Sequence, residues 1–240
     1  ASLEPVPTAV VTHRAVPLPP KANAAPLWVA LDDHLGRGTT TQGSGPLLTL
    51  SSAGQQSLRL RDGAGTVVAE ARSLRLSWRL APLAEPVEIA RQIAGPFASF
   101  ESAERIANRW SDQGVVARVA HPGDWEVWAP MDAERLAGVP VRRSARTLTT
   151  EMKAVLEGPS GGRTLQGPLM LEAPSGLLWQ GGVLRGPFRL QPDAYGSWTL
   201  LEQVPLERYL EGVVPHEIGA GSPRAALEAQ AVLARTWALA

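Results

Sequence analysis

The stretch that decides how this chain folds and acts is Val204-Pro-Leu-Glu-Arg-Tyr-Leu-Glu-Gly-Val-Val-Pro-His-Glu217, followed by Pro223-Arg-Ala-Ala-Leu-Glu-Ala-Gln-Ala-Val-Leu-Ala-Arg-Thr-Trp-Ala-Leu-Ala240. Its apolar residues recur at helical spacing, so two amphipathic helices are predicted. Glu217 is expected in the tight connection between them. Such a connection can hold one carboxylate in a defined place, as a catalytic acid requires.

Proline, glycine and serine predict where these two helices begin and end. Pro205 suits the first position of the first helix, where its missing N–H would have no partner. Gly212 and Pro215 predict the end of that helix, because glycine favours a C-terminus and proline breaks the hydrogen-bond pattern. Ser222 is predicted to cap the second helix, with Pro223 at its first position.

The second helix is predicted to pack through small side chains. One face carries four apolar residues, Leu227, Ala231, Ala234 and Ala238. Gln230 shares a neighbouring stripe with Trp237, so we expect Gln230 to be buried with partners for its amide. Trp237 is expected to pack in the core in preference to lining a sugar platform.

This C-terminal sequence resembles the signature of the stage II sporulation protein D and amidase-enhancer family, which reads approximately V-x-x-E-x-Y-L-x-G-V-V-P-x-E and continues as A-L-x-A-Q-A-V-x-A-R-T. The matching positions are Glu207, Tyr209, Leu210, Gly212, Val213, Val214, Pro215, Glu217, Ala226, Leu227, Ala229, Gln230, Ala231, Val232, Ala234, Arg235 and Thr236. The resemblance implies a lytic transglycosylase that cuts MurNAc–GlcNAc bonds, with Glu217 as its single catalytic acid and base. Tyr209, Gln230 and Arg235 are predicted to contact the substrate, and the Gln230 amide could instead orient the carboxylate of Glu217.

Each of these residues also has an ordinary structural interpretation. Glu217 can be a solvated carboxylate, since most glutamates are exposed. Arg235 can form a structural ion pair, and Tyr209 can pack in the core in place of contacting a sugar. Glu207 and Glu211 are interpreted as solvated charges on the first helix.

Composition and charge exclude several classes of function. Of the 240 residues, 44% are apolar and 19% are charged, as is typical of a folded protein. Lys and Arg total 23, as do Asp and Glu, so no basic field is predicted to recruit nucleic acid or an anionic membrane. The sequence contains no apolar run near the roughly 20 residues that span a bilayer.

No cofactor or metal is predicted. Cysteine is absent, which excludes thiolate chemistry and cysteine-bound zinc. The four histidines, His13, His34, His121 and His216, show no ligand spacing. The sequence Gly158-Pro-Ser-Gly-Gly162 lacks the lysine of a phosphate-binding loop and is interpreted as a turn.

The first 26 residues are predicted to be a proline-rich linker, because prolines without large apolar neighbours favour extended chain. The chain starts at Ala1 without methionine. That start is expected if a signal peptide was removed or the chain was trimmed, and the resemblance implies export to the periplasm or cell wall.

An α+β fold is predicted, with an antiparallel β-rich domain formed by residues 27–85 and 144–203. Short alternating apolar runs are separated there by glycine- and serine-rich turns. A strand-like run follows each of three segments that begin with Gly-Pro: Gly45-Pro-Leu-Leu, Gly167-Pro-Leu-Met and Gly186-Pro-Phe-Arg. The C-terminal helical segment, 204–240, completes the predicted organisation.

Residues 86–143 have a different sequence pattern from the β-rich segments on either side and are predicted to form an inserted βαββαβ module. Ala103, Ile106, Ala107 and Trp110 fall on one helix face, with Ser99 or Ser102 as the cap. A second, shorter helix is expected from Asp132. Because β-segments flank this module, we expect it at the tip of a hairpin, where insertions are tolerated.

This module resembles the sporulation-related repeat, a small peptidoglycan-binding domain. Gly95-Pro-Phe-Ala-Ser-Phe100 and Ala103-Glu-Arg-Ile-Ala-Asn-Arg-Trp110 match its first loop and helix. The usual Gly-Pro-Phe run after its third strand is missing. The resemblance implies binding to the same glycan strands without stem peptides, which would keep an enzyme on its polymer.

Two departures from the sporulation protein family concern the end of the chain. The connection after the glutamate reads Ile218-Gly-Ala-Gly-Ser-Pro223, where the family usually has an aromatic residue. The family domain also continues beyond the second helix, so the chain is expected to be a fragment of that domain, inactive by itself.

Three functional readings follow from these observations. The first is a lytic transglycosylase. The second is an amidase enhancer that binds wall glycan and a partner amidase, with Glu217 used in recognition. The third is an envelope protein whose two modules only bind peptidoglycan.

Overall fold

The computed structural model describes residues 26–43, 45–159 and 161–239, so all but the last residue of the predicted linker lies outside it. The described residues form the strands β1 (Leu27–Leu35), β2 (Leu48–Ser52), β3 (Leu58–Arg61), β4 (Val67–Ala71), β5 (Ser73–Phe97), β6 (Arg118–Ala120), β7 (Trp125–Pro130), β8 (Val141–Leu156), β9 (Arg163–Thr164), β10 (Leu169–Glu172), β11 (Leu177–Trp179), β12 (Gly182–Leu184), β13 (Phe188–Pro192) and β14 (Trp198–Val204). The helices are α1 (Phe100–Ser111), α2 (Leu206–Ile218) and α3 (Arg224–Ala238). This mixed, strand-rich structure is compatible with the predicted α+β class.

The chain divides into two compact units. The larger unit contains residues 29–202, and the other contains the described residues up to Trp28 and from Gln203 onward. Both sheets and α1 belong mainly to the larger unit, whereas α2 and α3 belong to the smaller one.

The larger unit is built from two antiparallel sheets. One has the strand order β1-β14-β13-β10-β3-β4, and the other has the order β12-β11-β2-β5-β7-β6, with β8 paired to β5 and β9. Along β14, buried side chains alternate with partly exposed ones, as the period of two in a strand requires. Both sheets contribute leucines to a shared core.

Two tryptophans stand at the centre of that core. Trp78 on β5 and Trp198 on β14 are 2% and 1% exposed, and their ring centroids lie 5.9 Å apart. Each indole N–H reaches a backbone carbonyl, Trp78 that of Pro46 at 3.1 Å and Trp198 that of Met152 at 2.9 Å. These hydrogen bonds remove the cost of burying a polar group with each large apolar ring.

The three Gly-Pro segments lead into β2, β10 and β13, which confirms the prediction that each precedes a strand.

The long strands β5 and β8 continue from the two-sheet core into the predicted module. Their register pairs Leu76 with Leu156 at one end and Ala94 with Val141 at the other. Helix α1 packs on this extension through Ala103, Ala107 and Trp110. The hydroxyl of Ser99 accepts a 3.3 Å hydrogen bond from the Ser102 amide, so Ser99 is the cap. The module boundaries at 86 and 143 remain a prediction.

The second helix of the predicted βαββαβ module is absent from the described structure, and that prediction is wrong. Side chains from β5 and α1 donate hydrogen bonds to backbone carbonyl groups of this segment, which a helix would need for its own backbone hydrogen bonds. The buried Gln92 amide donates to the carbonyls of Met131 and Ala133, and the Trp110 indole donates to that of Glu134. The segment is therefore held as successive turns beside α1.

Candidate functional site

Helix α2 is continuous from Leu206 to Ile218, so the prediction that it ends near Gly212 and Pro215 is wrong. Pro215 removes one backbone donor from the helix. Burial of one apolar face, formed by Leu206, Leu210 and Val214, offsets that loss. The helix ends at Gly219, whose positive φ of 86° is a backbone conformation that favours glycine. Glu217 therefore lies in the last turn of α2, not in the connection that follows.

The start of α3 also differs from the prediction. Ser222 does not cap this helix; its hydroxyl donates a 2.5 Å hydrogen bond to the carbonyl of Ile218. The residue that precedes α3 is Pro223, whose carbonyl accepts from the amides of Ala226 and Leu227. Ser222 thus satisfies a carbonyl at the end of α2, which would otherwise lack an intrahelical donor.

The two helices pack against each other through the predicted small residues. Ala234 is buried, and three partly buried residues of α3 join it, Leu227, Ala231 and Ala238. Tyr209 of α2 is partly buried in this cluster. Trp237, by contrast, is 63% exposed, so the prediction that it packs in the core is wrong.

Glu217 and Gln230 are brought together by this packing. The Nε2 amide of Gln230 donates a 2.7 Å hydrogen bond to Oε2 of Glu217. Gln230 is only partly buried, less than predicted, whereas Glu217 is exposed. The amide therefore orients a carboxylate whose other oxygen has no hydrogen bond to the described residues.

Arg235 and Glu207 form a second contact between the helices. Nε and Nη2 of Arg235 donate to the two carboxylate oxygens of Glu207 at 3.2 and 2.6 Å, a two-point geometry. The arginine side chain is 16% exposed and the glutamate side chain 57% exposed. Glu207 is thus an exposed charge on the first helix, as predicted, and it also pairs with Arg235. The sequence matched both residues to one motif, but their separation of 28 positions carries no pairing signal.

The predicted site residues thus have different surroundings. Gln230 contacts Glu217, Arg235 contacts Glu207, and Tyr209 contributes to the apolar cluster between the helices. Within the described residues, no group of three or more His, Asp or Glu side chains could hold a metal ion. No helix in that part of the chain is long and apolar enough to cross a membrane.

Comparison with known proteins bears on this same segment. Residues 194–240 match the family model SpoIID, described as Stage II sporulation protein. The match covers α2, α3 and the Glu217–Gln230 pair, and it supports assignment of this segment to that family. It suggests a cell-wall-related function, in sporulation or amidase enhancement, since the SpoIID family is linked to peptidoglycan processing. Searches of curated proteins and of solved structures found no match.

Proposed function

We propose that this chain belongs to a lytic transglycosylase that cleaves MurNAc–GlcNAc bonds in peptidoglycan strands without stem peptides. The observation that carries the proposal is the Glu217–Gln230 pair within the segment that matches SpoIID. Exposure of Glu217 allows a polymer to approach it, and the 2.7 Å amide contact limits the positions that its carboxyl group can take.

The reaction needs one carboxyl group to act twice. Glu217 in its protonated form donates a proton to the glycosidic oxygen as the C1–O bond breaks, and the GlcNAc residue leaves as an alcohol. The resulting carboxylate then takes the proton of the MurNAc C6 hydroxyl, whose oxygen bonds to C1 and closes a 1,6-anhydro ring. The carboxyl group is thereby protonated again, so the cycle consumes no water.

Gln230 has a positioning role in this scheme. An amide hydrogen bond to Oε2 leaves Oε1 of Glu217 as the oxygen that transfers the proton. Tyr209 and Arg235 support the same helix pair, Tyr209 by packing and Arg235 through Glu207. Their contribution to substrate binding is therefore expected to be indirect.

A non-catalytic amidase enhancer is the second candidate. The observation that favours it is the exposure of Glu217, since an exposed carboxylate can accept hydrogen bonds from sugar hydroxyls or from a partner hydrolase. In both cases the protein works outside the cytoplasm, in the periplasm or cell wall. The module around α1 is proposed to bind the same glycan.

The experiment that tests the proposal is incubation of the full-length protein with peptide-free glycan strands, followed by mass spectrometry. A transglycosylase releases fragments that end in 1,6-anhydro-MurNAc, whereas a hydrolase releases fragments heavier by one water. Absence of new ends, together with stimulation of an added amidase, would replace the first candidate with the second.

A further inference from the structure

The β5–β8 ribbon connects two hydrophobic clusters. One surrounds Trp78 and Trp198 between the two sheets, and the other lies under α1 around Trp110. Among the described residues, the two clusters share no member. Residues 87–148, which we name the arm, therefore carry a core of their own. Two parts with separate cores can move against each other without unpacking either core.

The ribbon is interrupted where the arm begins. Its register breaks between Pro82 and Val87 on β5, where residues 83–86 stand opposite Thr149 alone on β8. Pro82 and Pro86 have no N–H group to donate to the neighbouring strand, and a bulge of this kind bends a strand pair. The bulge is therefore a point at which the arm can turn relative to the two-sheet core.

A turn of the two-sheet core contacts the arm at a second place. This turn joins β13 to β14 and carries Tyr195. The hydroxyl of Tyr195 accepts a 2.8 Å hydrogen bond from the backbone amide of His121, and its ring meets that of Trp128 edge to face, with centroids 5.7 Å apart. One residue further along the arm, the carbonyl of Pro122 accepts a 2.9 Å hydrogen bond from Nη2 of Arg37. These contacts together form what we name the latch.

The two-sheet core holds Tyr195 in place. The carboxylate of Asp193 accepts hydrogen bonds from the backbone amides of Tyr195 and Ser197 at 2.8 and 3.0 Å, and from the Ser197 hydroxyl at 2.7 Å. The ring of His34 packs against that of Tyr195, with centroids 5.0 Å apart, on a backbone whose φ of 55° is uncommon outside glycine. The tyrosine is thus presented in one orientation, and little side-chain freedom is lost when the latch closes.

The contacts of the latch lie near solvent. Tyr195 and Trp128 are partly exposed, and His121 is exposed. Between the latch and the bulge lies a groove of about 410 Å³, which is lined on the ribbon by Leu80, Leu83, Val87, Ile89 and Leu148. Because side chains do not fill this space, the turn and the ribbon are not closely packed there, and opening the latch disrupts little apolar packing.

The latch covers part of the face of the arm that α1 leaves open. Val127 and Ala129 on β7 are buried toward α1, so Trp128 between them points to the opposite face. The guanidinium carbon of Arg91 lies 3.8 Å from the centroid of a Trp128 ring on that face. Tyr195 therefore occupies a position beside Trp128 that a ligand of this face would need.

We propose that the latch is an autoinhibitory contact. In the closed form, Tyr195 holds the arm against the two-sheet core and covers part of the face that carries Trp128. In the open form, the latch contacts are broken, the arm has turned at the bulge, and that face is accessible. A ligand of this face binds the open form only, so it shifts the equilibrium toward opening. That the ligand is glycan rests on the proposed function, whereas the two positions of the arm are inferred from the geometry alone.

The first test measures the position of the arm. The sequence has no cysteine, so Ala64→Cys and Gln113→Cys place one spin label on the two-sheet core and one on the arm, both at exposed turns. Pulsed electron spin resonance then gives the distribution of distances between the labels. We expect one main distance in the parent protein and a second, clearly different one when Tyr195→Ala and Arg37→Gln are combined. Arg72→Gln, an exposed change outside the latch, should leave the distribution unchanged. The proposal is overturned if the combined variant keeps the parent distribution.

Hydrogen exchange tests the tyrosine contact without removing the ring. Tyr195→Phe deletes the acceptor of the His121 amide, so exchange of that amide should become at least tenfold faster, while exchange of the amides in β14 stays the same. Unchanged exchange at His121 would show that the contact is not made in solution and would overturn the latch.

Calorimetry with peptide-free glycan strands tests the autoinhibition. The affinity of the combined variant should exceed that of wild type by the ratio of their open fractions, because only the open form binds. Equal affinities despite a larger open fraction, or weaker binding by the variant, would overturn the autoinhibitory role. Absence of binding by both proteins would instead count against the proposed glycan binding of the module, and the distance measurement would still decide whether the latch exists.

Discussion

The Nε2 amide of Gln230 on α3 donates a 2.7 Å hydrogen bond to Oε2 of Glu217 in the last turn of α2. The two residues are 13 positions apart, and the helix pair brings them together through the apolar cluster around Leu210, Val214 and Ala234. A carboxylate at the end of a helix is thus held by a neutral partner. Five predictions can be tested, on this pair, on the Glu207–Arg235 pair, on Asp32 and on the β5–β8 ribbon.

The first prediction concerns Glu217 as the acid. Glu217→Gln preserves the shape of the side chain but cannot donate an acidic proton, so release of anhydro-ended fragments by the full-length protein should fall roughly 10²-fold or more. Glu211→Gln, an exposed change on the same helix, should retain the wild-type rate. A Glu217→Gln protein as fast as wild type would show that another group supplies the proton.

The second prediction concerns the positioning role of Gln230. Gln230→Ala should lower the cleavage rate about tenfold, because the carboxyl group of Glu217 samples more orientations. The free energy of unfolding should change by less than about 1 kcal/mol, since the hydrogen bond lies near solvent. A changed pH–rate profile in Gln230→Ala would show that Gln230 positions the carboxyl group of Glu217. A loss of stability with an unchanged pH–rate profile would show a structural role only and contradict the prediction.

The third prediction concerns the Glu207–Arg235 pair. In a double-mutant cycle with Glu207→Gln and Arg235→Gln, we expect a coupling energy of about 0.5–1 kcal/mol, because the two-point contact includes a largely buried arginine. The exposed Arg224–Glu228 pair, with side chains 91% and 63% exposed, is the matched control and should couple by about 0.3–0.5 kcal/mol. Urea unfolding of the four proteins in each cycle measures both values. Equal coupling in the two pairs would mean that burial of Arg235 adds nothing.

The fourth prediction concerns pH and Asp32 on β1. Partial burial and then the charge of Asp33 raise the pKa of the Asp32 carboxyl group, while a backbone hydrogen bond from Asp33 opposes them. Because the folded-state pKa lies above the unfolded one, the contribution of Asp32 to stability is complete below the unfolded value. It is lost as the pH rises through the folded value.

Asp32→Asn should therefore be more stable than wild type at about pH 7 and equally stable at about pH 3. Urea unfolding at both pH values provides the measurement. Asp124→Asn, at an exposed turn, should show no such pH-dependent difference. A constant difference between Asp32→Asn and wild type across this range would contradict the raised pKa.

The fifth prediction concerns the β5–β8 ribbon. Val87 and Leu148 are register partners, so a two-residue Asn-Gly turn between them can replace residues 88–147. The shortened chain should still unfold cooperatively, because the core around Trp78 and Trp198 lies outside the excised segment. Circular dichroism during thermal unfolding checks this. Loss of any cooperative transition would show that the two-sheet core depends on the segment around α1.

Local rules in the sequence predicted the features that depend on near neighbours. The helical spacing of Leu227, Ala231, Ala234 and Ala238 identified the packed face of α3, and Ser99, one of the two predicted candidates, caps α1. The motif around Glu217 located the candidate acid. The packed face of α3 and the cap of α1 could be predicted because periodicity and capping act over a few residues and depend little on the rest of the fold, whereas the role of Glu217 as an acid stays a prediction.

Tertiary structure decided what depends on distant partners. Pro215 stays within α2 because the apolar face of that helix is buried. The helix predicted from Asp132 does not form, because Gln92 and Trp110 donate hydrogen bonds to carbonyl groups of that segment. Helix packing likewise brings Glu207 to Arg235. Strand register places Arg91 on the same face as Arg142 and Arg146. No local pattern encodes these contacts, because their free energy comes from groups that meet only after the chain has folded.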